Sequence, residues 1–165
     1  VRIDGGSDPA IADGDEWRQP LRVVLDSGLR MPSTAKMIRL KGETLVVALT
    51  GGPNQRLLET AGAEVALLPG DGGRIDLGML LDQLGRRQIN EVLIESGSTL
   101  AGSFLAAGLV DELVIYAAPH IMGDDARGLF RLPGLRRMRD RIGLDITDLR
   151  MVGKDIRITA IPLSD

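Results

Sequence analysis

An α/β fold, with a mostly parallel sheet closed by a C-terminal antiparallel hairpin, follows from three features of the amino-acid sequence. Short apolar runs rich in β-branched residues recur along the chain, bounded by Gly, Pro, Ser or Asp, which is the pattern of strands buried on both faces. Between them lie stretches with helical spacing, of which Leu77, Leu80, Leu81 and Leu84 at i, i+3, i+4 and i+7 are the clearest. The last run, Asp155 to Ile161, instead alternates Ile156, Ile158 and Ala160 with Arg157 and Thr159, as a half-buried antiparallel strand does. Strands and helices in alternation build a parallel sheet, and the terminal hairpin closes it.

Taken in order, Val1 to Gln19 is turn-rich and acidic, with Gly5-Gly6, Ser7-Asp8-Pro9 and Asp13-Gly14, and reads as a surface leader or linker anchored by Trp17. The domain proper is expected over 20–165. Leu21 to Leu25 is a strand by β-branched content and ends in Asp26-Ser27-Gly28. Met31-Pro32-Ser33 breaks the pattern, and Thr34 to Leu40 fits neither period. Thr44 to Leu49 is a buried strand running into Thr50-Gly51-Gly52-Pro53, where Pro53 suits a first helical position. Leu57, Leu58 and Ala61 then share a side, and Gly62 stands where a helix stops. Glu64 to Leu68 is a further brief strand, and Pro69 to Gly73 is a loop by composition. Asp76 caps the helix that carries the leucine stripe, and Gly85 with Arg86-Arg87 ends it.

Glu91 to Ile94 reads as another buried strand. It ends in Glu95, crosses Ser96-Gly97-Ser98, where Gly97 permits the reversal, and opens into a small-residue helix with Ser98 or Thr99 as cap and Leu100, Phe104 and Leu105 on its apolar side. Glu112 to Pro119 has apolar residues on both faces, as in a central strand. Leu135 to Arg141 holds four arginines interleaved with Met138 and Asp140, a solvated basic surface or a phosphate site. Leu144 to Met151 and Asp155 to Ile161 flank Val152-Gly153-Lys154 as the closing hairpin.

The composition narrows the function. A chain of 165 residues, 44% hydrophobic and 26% charged, can bury the core of one domain. Its net charge of -3 offers no general footprint for nucleic acid or an acidic membrane surface. With no cysteine and one histidine, a disulfide framework, a thiol nucleophile, a zinc-thiolate site and a multi-histidine metal centre are all excluded, so no metal is expected. No apolar run reaches membrane-span length, and VRIDGGSDPA has neither a basic n-region nor an apolar h-region, which points to the cytoplasm. The start at Val1 and its weak strand signal suggest part of a longer chain.

The chemistry concentrates at Glu91 to Gly108, EVLIESGSTLAGSFLAAG. A strand feeding a turn and then a helix N-terminus presents unpaired N–H groups and the positive end of the helix dipole, which suits phosphate; a tight connection with no ligand fits the same residues. Ser96, Gly97, Ser98, Ala101, Gly102 and Ser103 are small enough for a ligand to lie on the backbone. Glu95 can hydrogen-bond a sugar hydroxyl or orient an amine, and equally can tie down its own loop. Ser27 can reach the same ligand or serve its turn. The Gly97 to Gly102 spacing is not G-x-G-x-x-G, which disfavours a standard dinucleotide fold. His120 reads as structural, since no nucleophile elbow accompanies it. Without redox-active side chains, an oxidoreductase would need a carried cofactor.

RVVLDSGLRMP at Arg22 to Pro32, QINEVLIESGSTLAGSFLAAGLVDELVIYAAPHIMGDDARGLF at Gln88 to Phe130 and the final VGKDIRI resemble the reductase domain of the bifunctional riboflavin-biosynthesis deaminase/reductase. The resemblance runs from about Pro20 to the C-terminus. It implies a dihydrofolate-reductase-like fold, a homodimer, and NADPH-dependent reduction of 5-amino-6-(5-phosphoribosylamino)uracil, with hydride passing to the sugar C1′ carbon. By that likeness Glu95 contacts the phosphoribosylaminouracil substrate, and Gly97, Ser98, Thr99, Leu100, Ala101, Gly102 and Ser103 wrap the NADP phosphates, with Ser27 also facing the cofactor. It further implies that a deaminase domain and the start of the reductase domain, with its Ser-Leu-Asp-Gly strand, are encoded upstream of Val1, so that this stretch alone is expected to be inactive. A non-catalytic nucleotide-binding or oligomerisation module is the alternative.

Overall fold

The computed structural model describes residues 19–123 and 125–163. The chain forms two compact units, Val1–Gln83 and Leu84–Asp165. The leader expected over Val1 to Gln19 lies outside the described residues except for Gln19.

In the first unit, β1 (Arg22–Leu25), β2 (Thr44–Ala48) and β3 (Glu64–Leu67) form a parallel sheet with β2 in the middle. The sequence TLVVA suits that place because Leu45 to Ala48 carry no polar side-chain atom, and all four are fully buried. On one face Val46 and Ala48 pack with Leu29, Ile38, Leu58 and Ala63. Ile38 comes from α1 (Lys36–Arg39), so the stretch that fits neither period is a single helical turn. Leu58 comes from α2 (Pro53–Thr60), which opens at Pro53 as expected. Fully burying one such leucine contributes about 1.5–3 kcal/mol. Leu57, expected beside it, is 57% exposed. Gly62 has φ 104°, a left-handed conformation that ends the helix while its N–H donates to the Glu59 carbonyl.

The loop expected at Pro69 to Gly73 is part of a small hairpin, β4 (Gly70–Asp71) with β5 (Arg74–Ile75). Its glycines and charged residues carry no strand signal, and the pairing alone defines it. Asp76 caps α3 (Leu77–Arg86) as expected, its Oδ1 accepting the Met79 N–H at 2.9 Å. Leu80 and Leu84 of the stripe are buried, and Leu77 and Leu81 half-buried. The helix runs across the division between the units.

The second unit holds α4 (Ser98–Ala106) and an antiparallel sheet of β6 (Leu113–Ala117), β7 (Leu144–Val152) and β8 (Asp155–Pro162), in the order β6-β8-β7. The hairpin of β7 and β8 turns at Gly153-Lys154, with Val152 opposite Asp155. A bulge falls between Ile146 and Asp148. The α/β class stands, and the C-terminal antiparallel sheet is larger than a hairpin because β6 joins it. Two expectations need correction. Glu112 to Pro119 is not a central strand: β6 lies at the end of its sheet, with Val114 and Tyr116 exposed. A continuous apolar run fits either position, and only the pairing partner decides between them. Glu91 to Ile94 forms no strand ladder among the described residues, and Leu93 is 80% exposed. A strand is a paired state, and apolar content does not supply the neighbour.

No helix of the described residues is long and apolar enough to cross a membrane.

Candidate functional site

In the second unit the first turn of α4 is open. The helix starts at Ser98 with Gly97 as its N-cap, and no side chain caps it. Neither Ser98 nor Thr99 therefore acts as the expected cap: both already have helical backbone, from which a hydroxyl cannot fold back onto the first turn's own N–H groups. The first intrahelical bond runs from the Ala101 N–H to the Gly97 carbonyl at 3.2 Å. The N–H groups of Ser98, Thr99 and Leu100 precede it and have no partner among the described residues. These donors and the aligned peptide dipoles make this end attractive to an anion. Glu95, Ser96 and Gly97 lead into it and are exposed.

The two glycines of the motif differ in their surroundings. Gly97 has φ -71° and ψ 165°, extended backbone open to any residue, so the reversal does not require glycine. A Cβ at Gly97 would meet nothing within 4 Å, and the space beside this backbone is therefore free for a ligand. At Gly102 a Cβ would lie 2.3 Å from the Arg131 carbonyl oxygen and 2.9 Å from its carbon. There the polypeptide itself approaches, and the Arg131 N–H donates to the Ser98 carbonyl at 2.9 Å. Ser103 turns its hydroxyl onto the Thr99 carbonyl at 2.9 Å. Ala101 is half-buried, and Phe104 and Leu105 are buried. The small-residue stripe thus divides: Gly97 to Leu100 form the open helix end, while Gly102 and Ser103 are engaged by the protein.

Ser27 belongs to the first unit, at the C-terminal end of β1. Its carbonyl accepts the Leu49 N–H at 3.3 Å, and its half-exposed side chain has no partner among the described residues. Two residues not foreseen as functional shape this loop. Asp26, 8% exposed, accepts the Met31 N–H on Oδ2 at 2.6 Å. Asn54, in the first turn of α2, donates through Nδ2 to the Leu29 and Met31 carbonyls, both at 2.8 Å. Between them they hold Leu29 at φ 50°, unusual for a leucine. Asp26 could have been noticed as the acid directly before Ser27; nothing local marks Asn54. Arg30 reaches Asp26 only at 3.9 Å and is largely exposed, so that ion pair contributes little. His120 is exposed, and its backbone N–H donates to the Ala118 carbonyl at 2.8 Å.

Known proteins extend this geometry. The model of the RibD C-terminal domain matches residues 4–158. The riboflavin biosynthesis protein RibD of Escherichia coli K12 is 42% identical over 139 residues, which cover 84% of this chain and 37% of that protein. A 5-amino-6-(5-phosphoribosylamino)uracil reductase of Buchnera aphidicola (subsp. Acyrthosiphon pisum) is 30% identical over 146 residues, covering 88% of this chain and 69% of the relative. Among solved structures, Acinetobacter baumannii RibD superposes with a TM-score of 0.74 at 32% identity, over 86% of this chain and 37% of that one. The chain therefore spans well under half the length of the RibD proteins it matches. The match over residues 4–158, with the Buchnera relative covered over 69% of its length, shows that the chain belongs to the RibD C-terminal domain family.

Proposed function

We propose that the chain carries the reductase function of riboflavin biosynthesis, the NADPH-dependent reduction of 5-amino-6-(5-phosphoribosylamino)uracil to the ribitylamino product. The observation that carries this reading is the open N-terminus of α4, with three unpartnered N–H groups beside the unobstructed Gly97 and directly after Glu95. It gains support from the Buchnera relative, which bears the name of that reductase. The donor set fits a phosphate-bearing nucleotide: backbone N–H groups at a helix end bind phosphate oxygens without needing a cation. When bound, NADPH supplies the hydride, and the protein supplies position.

In this reading Ser98, Thr99 and Leu100 hold a cofactor phosphate through their N–H groups, and Gly97 leaves room for it. Glu95 accepts a hydrogen bond from a substrate hydroxyl or amine. Ser27, on a loop fixed by Asp26 and Asn54, contributes a hydroxyl to the cofactor. Ala101, Gly102 and Ser103 act behind the first turn, by keeping the helix in place. Orienting two reactants can supply about 7–11 kcal/mol of the barrier reduction, which is the scale on which such residues act.

The same proposal includes a homodimer and a cytoplasmic location, where NADPH is at hand. A second copy would cover the apolar face of the β6-β8-β7 sheet, whose cross-strand rows join Ile115 to Ile158 and Leu149, and Ala117 to Ile156 and Met151. Leu149 and Met151 are 64% and 63% exposed. Such a continuous apolar face commonly marks association.

The test is NADPH oxidation, followed by the nicotinamide absorbance, with the phosphoribosylaminouracil as acceptor. It is run on this chain and on a version extended upstream to the length of the relatives, with NADPH binding measured separately. Substrate-dependent oxidation in the longer version supports the reductase. NADPH binding without turnover in both would favour the nucleotide-binding module instead.

A further inference from the structure

The four-arginine segment, which the reductase reading leaves unused, borders a cavity of about 470 Å³ within the second unit. Leu105, Leu113, Phe130 and Leu132 are part of its apolar lining, and Arg136, Arg137 and Arg141 line it as well. That volume lies in the range of small-molecule sites, and it shares no residue with Ser27, Glu95 or the first turn of α4.

The charges around it are one-sided. Among the described residues no acidic side chain lines the cavity. The nearest in sequence, Asp140, is committed elsewhere: its Oδ2 accepts the backbone N–H groups of Arg136 and Arg137 at 3.3 and 3.0 Å, and its Oδ1 lies 3.7 Å from Nε of Arg139. Arg141 donates through Nη1 to the Met138 carbonyl at 2.9 Å. The guanidinium groups of Arg136 and Arg137 have no carboxylate partner among the described residues. Asp140 fixes their backbone through the short 3-10 turn Met138–Asp140, and among the described residues its carboxylate pairs with neither of their guanidinium groups.

We propose that this cavity binds an organic anion with an apolar body, the body against Leu105, Leu113, Phe130 and Leu132, and a carboxylate or phosphate against Arg136 and Arg137. An apolar wall alone would take a neutral ligand equally well. Two guanidiniums in its lining, without a carboxylate partner among the described residues and with five donors each in a planar fork, select an anionic head.

Isothermal titration of the protein with octanoate, octanol and acetate tests this. Octanoate is expected to bind at a single site, about tenfold or more tighter than octanol, with acetate undetected, because neither the body nor the head suffices alone. An Arg136→Ala/Arg137→Ala variant should bind octanoate and octanol alike, and a Leu132→Trp variant should bind neither. If Leu132→Trp fails to fold, the exposed arginine pair still decides. Equal binding of octanoate and octanol by the unaltered protein overturns the proposal, as does a preference that survives loss of both arginines. Sedimentation of the same variants provides the competing outcome: if no octanoate binds and the substitutions change the association state, a second copy of the chain occupies the groove and the ligand site is refuted.

Discussion

Replacing Gly102 by alanine separates a packing role from a cofactor role. The new Cβ would sit 2.3 Å from the Arg131 carbonyl oxygen and 3.0 Å from its nitrogen. Ordinary contacts between such atoms lie near 3.5 Å, so the 131 segment must retreat by about an ångström. Backbone cannot rotate away as a flexible side-chain end could, and the Arg131 to Ser98 hydrogen bond at 2.9 Å breaks as the segment moves. Overpacking costs about 1–3 kcal/mol and the lost bond about 0.5–1.5 kcal/mol. Alanine returns about 0.8–1.0 kcal/mol through its better helix propensity. The net destabilisation is about 0.5–3.7 kcal/mol, at roughly 2–4 °C of melting temperature per kcal/mol for a chain of this size. Gly97→Val is the matching control, since a Cβ at that position meets nothing within 4 Å. It should leave the unfolding transition in place and weaken NADPH binding, by filling the space beside the first-turn N–H groups. Thermal and urea unfolding by circular dichroism, with NADPH titration of each variant, reads both effects. A Gly102→Ala protein as stable as the original refutes the packing argument, and a Gly97→Val protein with unaltered NADPH affinity refutes the open-helix site.

Asn54→Ala removes two hydrogen bonds from the Ser27 loop and should cost about 1–3 kcal/mol in urea unfolding, with weaker NADPH binding; unchanged affinity would place Ser27 away from the cofactor. Glu95→Gln should raise KM for the pyrimidine substrate about tenfold while NADPH affinity stays constant, so a cofactor-only defect in steady-state kinetics would reassign Glu95. Leu149→Glu puts a charge on the exposed apolar sheet face and should weaken self-association about tenfold or more in sedimentation; an unaltered association constant would move the interface off that face.

The sequence by itself determined the features that depend on neighbours close in the chain. Asp76 as cap, Pro53 as first helical residue, Gly62 as stop and the turn at Gly153-Lys154 are each specified within a few residues, and each stands where its local chemistry puts it. The buried strand read over Thr44 to Leu49 was legible because Leu45 to Ala48 carry no polar side-chain atom and have no side to offer water. Tertiary structure decided what depends on partners distant in sequence. Glu91 to Ile94 and Leu113 to Ala117 look alike as apolar runs, yet only the second finds a neighbour among the described residues, because hydrogen bonding across a sheet is set by the other strand. Gly97 and Gly102 are equally small in sequence; Arg131 alone makes one a packing contact and leaves the other open. Asn54 fixes the Ser27 loop from another element, and no local pattern encodes that reach. The candidate site was therefore legible as a motif, from its small residues at a helix start, while the split of that motif into an open half and a half packed against the protein arose only from folding.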